Sequence, residues 1–183
     1  GLINIHGHAS NSLIRGLGKD LSLNDWLEKV CWPIMNRADD EDLFNGVMLS
    51  CTEQILNGIT TFTDMWAGVG ISAKAVSTMG QRAVLAHNIK DFGDLDRGIR
   101  ELESAFNSWE KWNGFANGRV LVGFGPHSVY TCNPQLLTKC AELASKYNIL
   151  IQIHGCETAA EVIACQKKYG CSPIVLMNHT GIL

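Results

Sequence analysis

The stretch GLINIHGHAS (residues 1–10) places a short apolar run, Leu2–Ile5, directly before two histidines. Side chains two positions apart on a strand point to the same side, so His6 and His8 can present two imidazoles to one ion. The pair alone is weak evidence, because a single histidine at a strand end is more often a hydrogen-bonded structural residue. Its meaning depends on whether the same pattern recurs along the chain.

Short apolar runs of the same kind alternate with longer helical patterns through the chain. The predicted strands are Leu2–Ile5, Ile59–Thr63, Arg82–Ile89, Arg119–Gly123, Ile149–Ile153 and Pro173–Met177. The predicted helices are Leu23–Cys31, Asp40–Leu56, Ile71–Met79, Asp94–Trp112, Pro134–Lys146 and Thr158–Tyr169. Nearly pure apolar strands between helices predict an α/β fold with a parallel sheet covered by helices.

Two architectures fit this alternation, a doubly wound sheet and a (β/α)8 TIM barrel. Six β/α units of about 30 residues account for the 183 residues. A closed barrel usually needs about 250 residues, so the barrel alternative implies an incomplete barrel with about six units. No linker, repeat or low-complexity segment interrupts the pattern, and residues 1–183 are therefore expected to form one partial barrel domain.

All six histidines fall at or just beyond the ends of the predicted strands: His6, His8, His87, His127, His154 and His179. In parallel α/β proteins the carboxyl ends of the strands are where functional sites are built. His154 closes the run ILIQI and is followed by Glu157, a pairing that suits a metal ligand and a general acid/base. Glu157 could alternatively be a helix N-terminal charge. Three imidazoles with an open position are typical of catalytic zinc.

The composition excludes several other classes of protein. With 46% hydrophobic and 18% charged residues and a net charge of −3, the chain has no basic patch for nucleic acid. No apolar run reaches the roughly 18 residues that would span a membrane. The seven cysteines include no CxxC motif, which indicates reduced thiols and a cytoplasmic protein. Phosphate-loop, dinucleotide and GxSxG motifs are absent from the sequence.

Taken together, these motifs resemble the amidohydrolase superfamily, in its branch of methylthioadenosine/S-adenosylhomocysteine deaminases and s-triazine hydrolases. The matching segments, in order, are GLINIHGHAS, LIRGLGKDLSLNDWLEKVCWP, WNGFANGRVLVGFGPHSVYTC, IHGCET and MNHTGIL. The resemblance implies a (β/α)8 barrel in which His6, His8 and His154 bind the metal and Glu157 shuttles protons. It also implies that MNHTGIL supplies the sixth-strand histidine, His179, next to the reacting water.

The same resemblance places His127 at the substrate and Trp26 in the substrate pocket, with core packing as the alternative for Trp26. The fourth-strand run VLVGFG lacks the lysine that bridges two metals in other branches. A single divalent ion, zinc or else iron, is therefore implied. The reaction implied is attack of metal-activated water on an amino-substituted heterocycle, namely a nucleobase, a nucleoside or a triazine-like ring.

Two positions depart from the nucleoside deaminases of that branch. Met35 stands where they carry a ribose-binding glutamate, and His87 stands where they carry an arginine at the end of the third strand. A thioether cannot accept two strong hydroxyl hydrogen bonds, so we expect a smaller or less polar ring than an adenine nucleoside. His87 is expected to contact that substrate.

Two alternative functions remain open at this point. One is a dechlorinase or amide hydrolase of the same superfamily, and the other is a non-catalytic small-molecule-binding barrel. Homo-oligomers are compatible with either. The family's eighth-strand aspartate ligand has no counterpart in these 183 residues, and the isolated chain is therefore expected to be inactive.

Overall fold

The computed structural model describes residues 1–66 and 68–183. These residues include the strands of one five-stranded sheet. The strands are β1 (Leu2–Asn4), β2 (Ile59–Trp66), β3 (Arg82–Ile89), β4 (Val120–Pro126) and β5 (Leu150–Ile151). They lie side by side in the order β1-β2-β3-β4-β5. A doubly wound sheet reverses its strand order at a switch point, so this sequential order favours the barrel alternative.

Register is defined at the two ends of the sheet, where both strand pairs are parallel. Leu2 pairs with Ile59 and Asn4 with Phe62, while β4 pairs with β5 through Phe124 and Ile151. Parallel neighbours require a crossover connection, and a helix connects β4 to β5 as that rule demands.

The helices begin largely where the sequence predicts, because most carry a capping side chain. They are α1 (Leu23–Trp26), α2 (Trp32–Met35), α3 (Asp40–Leu56), α4 (Val69–Met79), α5 (Leu95–Trp112), α6 (Phe115–Gly118), α7 (Pro134–Tyr147), α8 (Ala159–Tyr169) and α9 (Pro173–His179). Asp39 accepts the amide of Asp42 and Asn133 accepts that of Leu136. In the described part of the chain, no helix is long and apolar enough to cross a membrane.

The helix predicted over Leu23–Cys31 extends further in the structure, to Met35, and is less regular than a single α-helix. A π-helical turn over Leu27–Cys31 joins α1 to α2, which extends to Met35. Pro33 lies at the start of α2 and has no amide hydrogen to donate to the preceding turn. A wider turn before a proline relieves that mismatch, which explains the π-helical segment.

The predicted sixth strand, Pro173–Met177, is wrong. These residues form α9, in which Ser172 accepts the amide of Val175 and Pro173 occupies the first turn. Proline at that position has the backbone angle that a helix needs, and the serine cap satisfies an otherwise unpaired amide. The described residues therefore contain five strands and not six, and His179 ends a helix.

The chain divides into two units by its internal contacts, and the first contains Gly1–Asp64, Gly68–Leu85 and Gly114–Leu121. Within it, α3 packs against α4 and against a 3-10 helix at Ala9–Ile14 that follows the first histidine pair. Gly46 permits this approach, since a Cβ there would lie 2.6 Å from the carbonyl oxygen of Ser10. The sequence did not predict the 3-10 helix.

The second unit contains Ala86–Asn113 and Val122–Leu183, together with the end of β2. Its core is a continuous apolar cluster built from α5, α7, α9 and the strands between them. Fully buried members of that cluster include Ile89, Phe124, Leu136, Leu137 and Met177. This packing fixes the loops that follow β4 and β5, where His127 and His154 lie.

Candidate active site

His6 and His8 lie just beyond β1 as a neighbouring pair. Their ring centroids are 5.2 Å apart and the rings meet edge to face at 89°. His6 is exposed and His8 is half-buried. The Asn4 side-chain oxygen accepts the His6 amide at 3.3 Å. The spacing of the HxH motif thus brings two imidazoles together, as the sequence predicts.

Asp64 supports the backbone immediately after this pair, and the sequence analysis missed it. Its carboxylate is 2% exposed and accepts the amide of Ala9 at 2.7 Å. The hydroxyl of Ser72 donates to the other carboxylate oxygen at 3.5 Å. A charge-assisted bond to a buried carboxylate holds the residue that follows His8 in place. An acidic residue closing the run ITTFT is the signal that could have identified it.

Hydrogen bonds to a carbonyl fix the orientation of His154. Both its backbone amide, at 3.0 Å, and its Nδ1, at 2.8 Å, donate to the carbonyl oxygen of His127. A carbonyl can only accept, so Nδ1 carries the proton and Nε2 carries the lone pair of the neutral ring. Metal-binding histidines commonly have this arrangement, with one nitrogen donating to the protein and the other facing the ion.

His127 follows β4 and is buried beside His154, with 4.9 Å between the ring centroids. Its Nδ1 lies 3.0 Å from the hydroxyl of Thr131 and 3.2 Å from that of Ser128. The ring is therefore anchored by its own loop. Contact with a substrate stays a prediction for this residue.

Glu157 lies in the turn after His154 and its side chain is exposed. The acidic residue in the first turn of α8 is Glu161 instead, so the N-terminal charge considered for Glu157 is located four residues later. Burial raises the pKa of Tyr130 to about 12, and the nearby carboxylates of Glu157 and Glu161 add to the rise. Tyr130 lies in the loop that also carries His127.

Asp91 is a second buried carboxylate that the sequence analysis missed. It is 1% exposed and accepts the amides of Gly93 at 2.7 Å and Asn133 at 2.8 Å. These bonds join the loop after β3 to the beginning of α7. They stabilise the strand-to-helix connections of the second unit, which accounts for the burial of this carboxylate.

His179 does not lie at the end of a strand. It is an exposed residue at the end of α9, so the match of MNHTGIL to a sixth strand was wrong. The catalytic role predicted for His179 loses its structural basis, because that role depended on the strand.

His87 lies within β3, third from its end, and its ring is directed at a helix. It is 5% exposed, and its Nδ1 lies 3.0 Å from the hydroxyl of Ser108 on α5. Burial lowers the pKa of His87 to about 4. A neutral buried imidazole bonded to a neighbouring helix contributes to the packing of α5, and contact with a substrate stays a prediction for His87.

The low pKa of His87 predicts that the protein loses stability in mild acid. Below its ordinary pKa of about 6.5, the unfolded chain takes up a proton that the folded chain excludes down to about pH 4. The free energy of unfolding therefore falls as the pH drops from about 6.5 to 4, by up to about 3 kcal/mol from this group.

Urea unfolding midpoints at pH 7 and pH 4.5 measure this effect. His87→Gln keeps a side-chain donor for Ser108 and does not titrate, so its midpoint should change less with pH than that of the wild type. An equal pH dependence in the two proteins would contradict the assignment.

Trp26 and Met35 lie in the first unit, on α1 and α2. The Trp26 indole is half-buried and donates to the carbonyl of Leu17 at 2.9 Å, across the Gly16–Gly18 turn. That bond gives Trp26 a structural role, and its place in a substrate pocket stays a prediction. Met35 is 6% exposed, so its thioether belongs to the packed interior of this unit.

The sequence profile of the amidohydrolase family matches residues 1–178, and the chain belongs to this family. Its β/α elements are those of an incomplete TIM barrel, which confirms the predicted fold class. The chain is 40% identical over 181 residues to 5'-deoxyadenosine deaminase from Methanocaldococcus jannaschii, covering 99% of this chain and 43% of that protein.

Two further comparisons, one of sequence and one of structure, also find proteins named as deaminases. The chain is 38% identical to 5-methylthioadenosine/S-adenosylhomocysteine deaminase 2 from Archaeoglobus fulgidus, over 100% of this chain and 44% of that protein. It superimposes with a TM-score of 0.89 and 26% identity on a zinc-bound adenosine deaminase from Xanthomonas campestris, covering 100% of this chain and 42% of that one. The chain therefore spans less than half the length of these relatives.

Proposed function

We propose that this chain is part of a metal-dependent hydrolase that deaminates an amino-substituted heterocycle. The observation that carries the proposal is the adjacent pair of imidazoles, His6 and His8, placed just after β1 in a chain of the amidohydrolase family. The relatives reported above are named as deaminases of adenosine, 5'-deoxyadenosine, 5-methylthioadenosine or S-adenosylhomocysteine. They support hydrolysis of an exocyclic amino group as the reaction.

His6, His8 and His154 are the proposed ligands of one divalent ion, zinc in preference to iron. The donor set suits zinc, because neutral imidazoles are among its preferred ligands and His154 presents the lone pair of Nε2. β4 has no lysine that could bridge two ions, which supports a single metal. A divalent ion held in this way supplies a Lewis acid that lowers the pKa of a water molecule.

Glu157 is the proposed acid and base of the reaction. Its exposed carboxylate can accept the proton released by the attacking water and deliver a proton to the leaving amino nitrogen. Delivery of that proton restores the carboxylate, and the amino group leaves as ammonia while the oxygen from water stays on the ring carbon. His127 is the proposed contact to the heterocycle, and Trp26 the proposed wall of its pocket.

The identity of residue 35, a methionine, limits which substrate can be proposed. A thioether cannot accept hydroxyl hydrogen bonds, so residue 35 provides no ribose anchor of the kind that a carboxylate would. We propose a substrate recognised mainly through its amino-substituted ring. The seven cysteines without a CxxC motif support a cytoplasmic setting.

Ammonia release by the full-length protein tests the proposed function. The probes are 5'-deoxyadenosine, 5-methylthioadenosine, S-adenosylhomocysteine, adenosine, guanine and an aminotriazine, each with zinc or ferrous iron. We expect at least one probe to yield ammonia and the corresponding hydroxy or oxo ring in equal amounts. A folded, metal-loaded protein that binds a probe without converting any of them would support the non-catalytic alternative.

A further inference from the structure

The turn that connects His154 to α8 is strained and exposed, yet it carries the proposed acid and base. β5 ends at Ile151, and Cys156 has a φ of +57°, in the left-handed region that residues with a side chain rarely adopt. A conformation of this kind persists only where surrounding contacts hold it. Glu157 comes directly after Cys156, so its carboxylate depends on whatever fixes this turn.

Glu161 makes the contact that holds the turn. One of its carboxylate oxygens, Oε2, accepts the backbone amide of Glu157 at 2.7 Å. The Thr158 hydroxyl accepts the amide of Glu161 at 3.1 Å and so caps the N-terminus of α8. Glu161 is 6% exposed, whereas the side chain of Glu157 is exposed.

Helix capping alone does not explain why this carboxylate is buried. Its second oxygen, Oε1, is buried and has no hydrogen-bond partner among the described residues. An exposed acidic side chain could interact with the positive end of α8 without losing its hydration. The burial is offset by the charge-assisted bond to the Glu157 amide, which is a specific contact with the catalytic turn.

We propose that Glu161 is a positioning residue that fixes the backbone of Glu157 and thereby aims its carboxylate. The inference rests on the proposed function, in which Glu157 transfers protons. Without an acceptor at position 161, the Glu157 amide loses its partner and the strained turn relaxes. The carboxylate then samples several directions, which slows proton transfer without removing the ligands of the metal.

Two substitutions of similar size separate positioning from packing. Glu161→Gln keeps a side-chain oxygen that can accept the Glu157 amide, whereas Glu161→Met fills the same space without an acceptor. Thr158→Ala is the matched control, because it removes the helix cap but leaves the bond between Glu161 and Glu157 available. Each variant is compared with the wild-type full-length protein.

The first measurement is amide hydrogen exchange at Glu157, which does not require turnover. Glu161→Met should increase the exchange rate at this amide by about tenfold, the equivalent of one lost hydrogen bond. Glu161→Gln should stay within about threefold of wild type, and Thr158→Ala should behave in the same way. Wild-type exchange at Glu157 in the Glu161→Met protein would overturn the proposal.

The second measurement is kcat and KM for the probe that is deaminated fastest. We expect Glu161→Met to lower kcat by about tenfold with KM and metal content nearly unchanged, and Glu161→Gln to restore most of it. A Thr158→Ala variant as slow as Glu161→Met would reduce Glu161 to a helix-stabilising residue and overturn the proposal. If Glu157→Gln itself retains full turnover, the proton-transfer role of Glu157 fails independently of Glu161, whereas a wild-type protein that converts no probe would overturn the proposed function.

Discussion

Replacing Glu157 by glutamine is expected to lower kcat for deamination by about 10²- to 10⁴-fold, the range that general acid–base catalysis contributes. Glutamine preserves the size of the side chain and its hydrogen-bonding oxygen, but it cannot accept and return a proton. Because Glu157 is not a proposed metal ligand, the metal content and KM should remain near their wild-type values. Steady-state ammonia release and metal analysis of the same preparation measure these quantities.

Glu142→Gln is the matched control for this experiment. Glu142 is an exposed glutamate on α7, so the same chemical change there should leave kcat within about twofold of wild type. A Glu157→Gln protein that turns over at the rate of this control would show that the proton is carried by another group.

Much of the fold follows from local patterns in the sequence. β3 and α3 agree with their predicted bounds, and α7 extends only one residue beyond them. The wrongly predicted sixth strand, Pro173–Met177, shows the limit of such patterns. Its sequence PIVLM is rich in β-branched and apolar residues, which predicts a buried strand. Its helical state depends on the Ser172 cap and on burial of Leu176 and Met177 in the core of the second unit.

The site could be predicted in part for the same reason. The HxH spacing of His6 and His8 and the HxxE spacing of His154 and Glu157 indicate residues of one functional site. The structure places His6 beside His8. The sequence does not reveal which face of β3 bears His87, because a shift of one residue reverses the direction of every side chain. Asp64 and Glu161 were missed because their roles are backbone contacts, and one of these joins residues 55 positions apart.

Replacing His6 and His8 together by alanine is expected to remove metal binding and turnover. Loss of a partner that only orients a ligand weakens metal affinity by about 10- to 100-fold, so loss of two ligands should weaken it by at least about 100-fold. The fold should survive, since His6 is exposed and His8 is half-buried. Thermal unfolding of the variant, measured without metal, checks that the effect is local.

Surface carboxylates could bind metal weakly, and a second double variant controls for that. Asp40→Ala with Glu41→Ala removes two exposed carboxylates at the start of α3 and should leave the metal content unchanged. A loss of metal in this control would locate the binding at the surface and not at the histidine pair.

The most direct test of the proposed metal site is the metal content of the full-length protein after exhaustive dialysis, measured by inductively coupled plasma mass spectrometry. We expect about one zinc or iron ion per wild-type chain, and little or none in the His6→Ala, His8→Ala protein. A wild-type protein that is folded and converts substrate without metal, or a double variant that retains its ion, would contradict the assignment of a metal-dependent hydrolase.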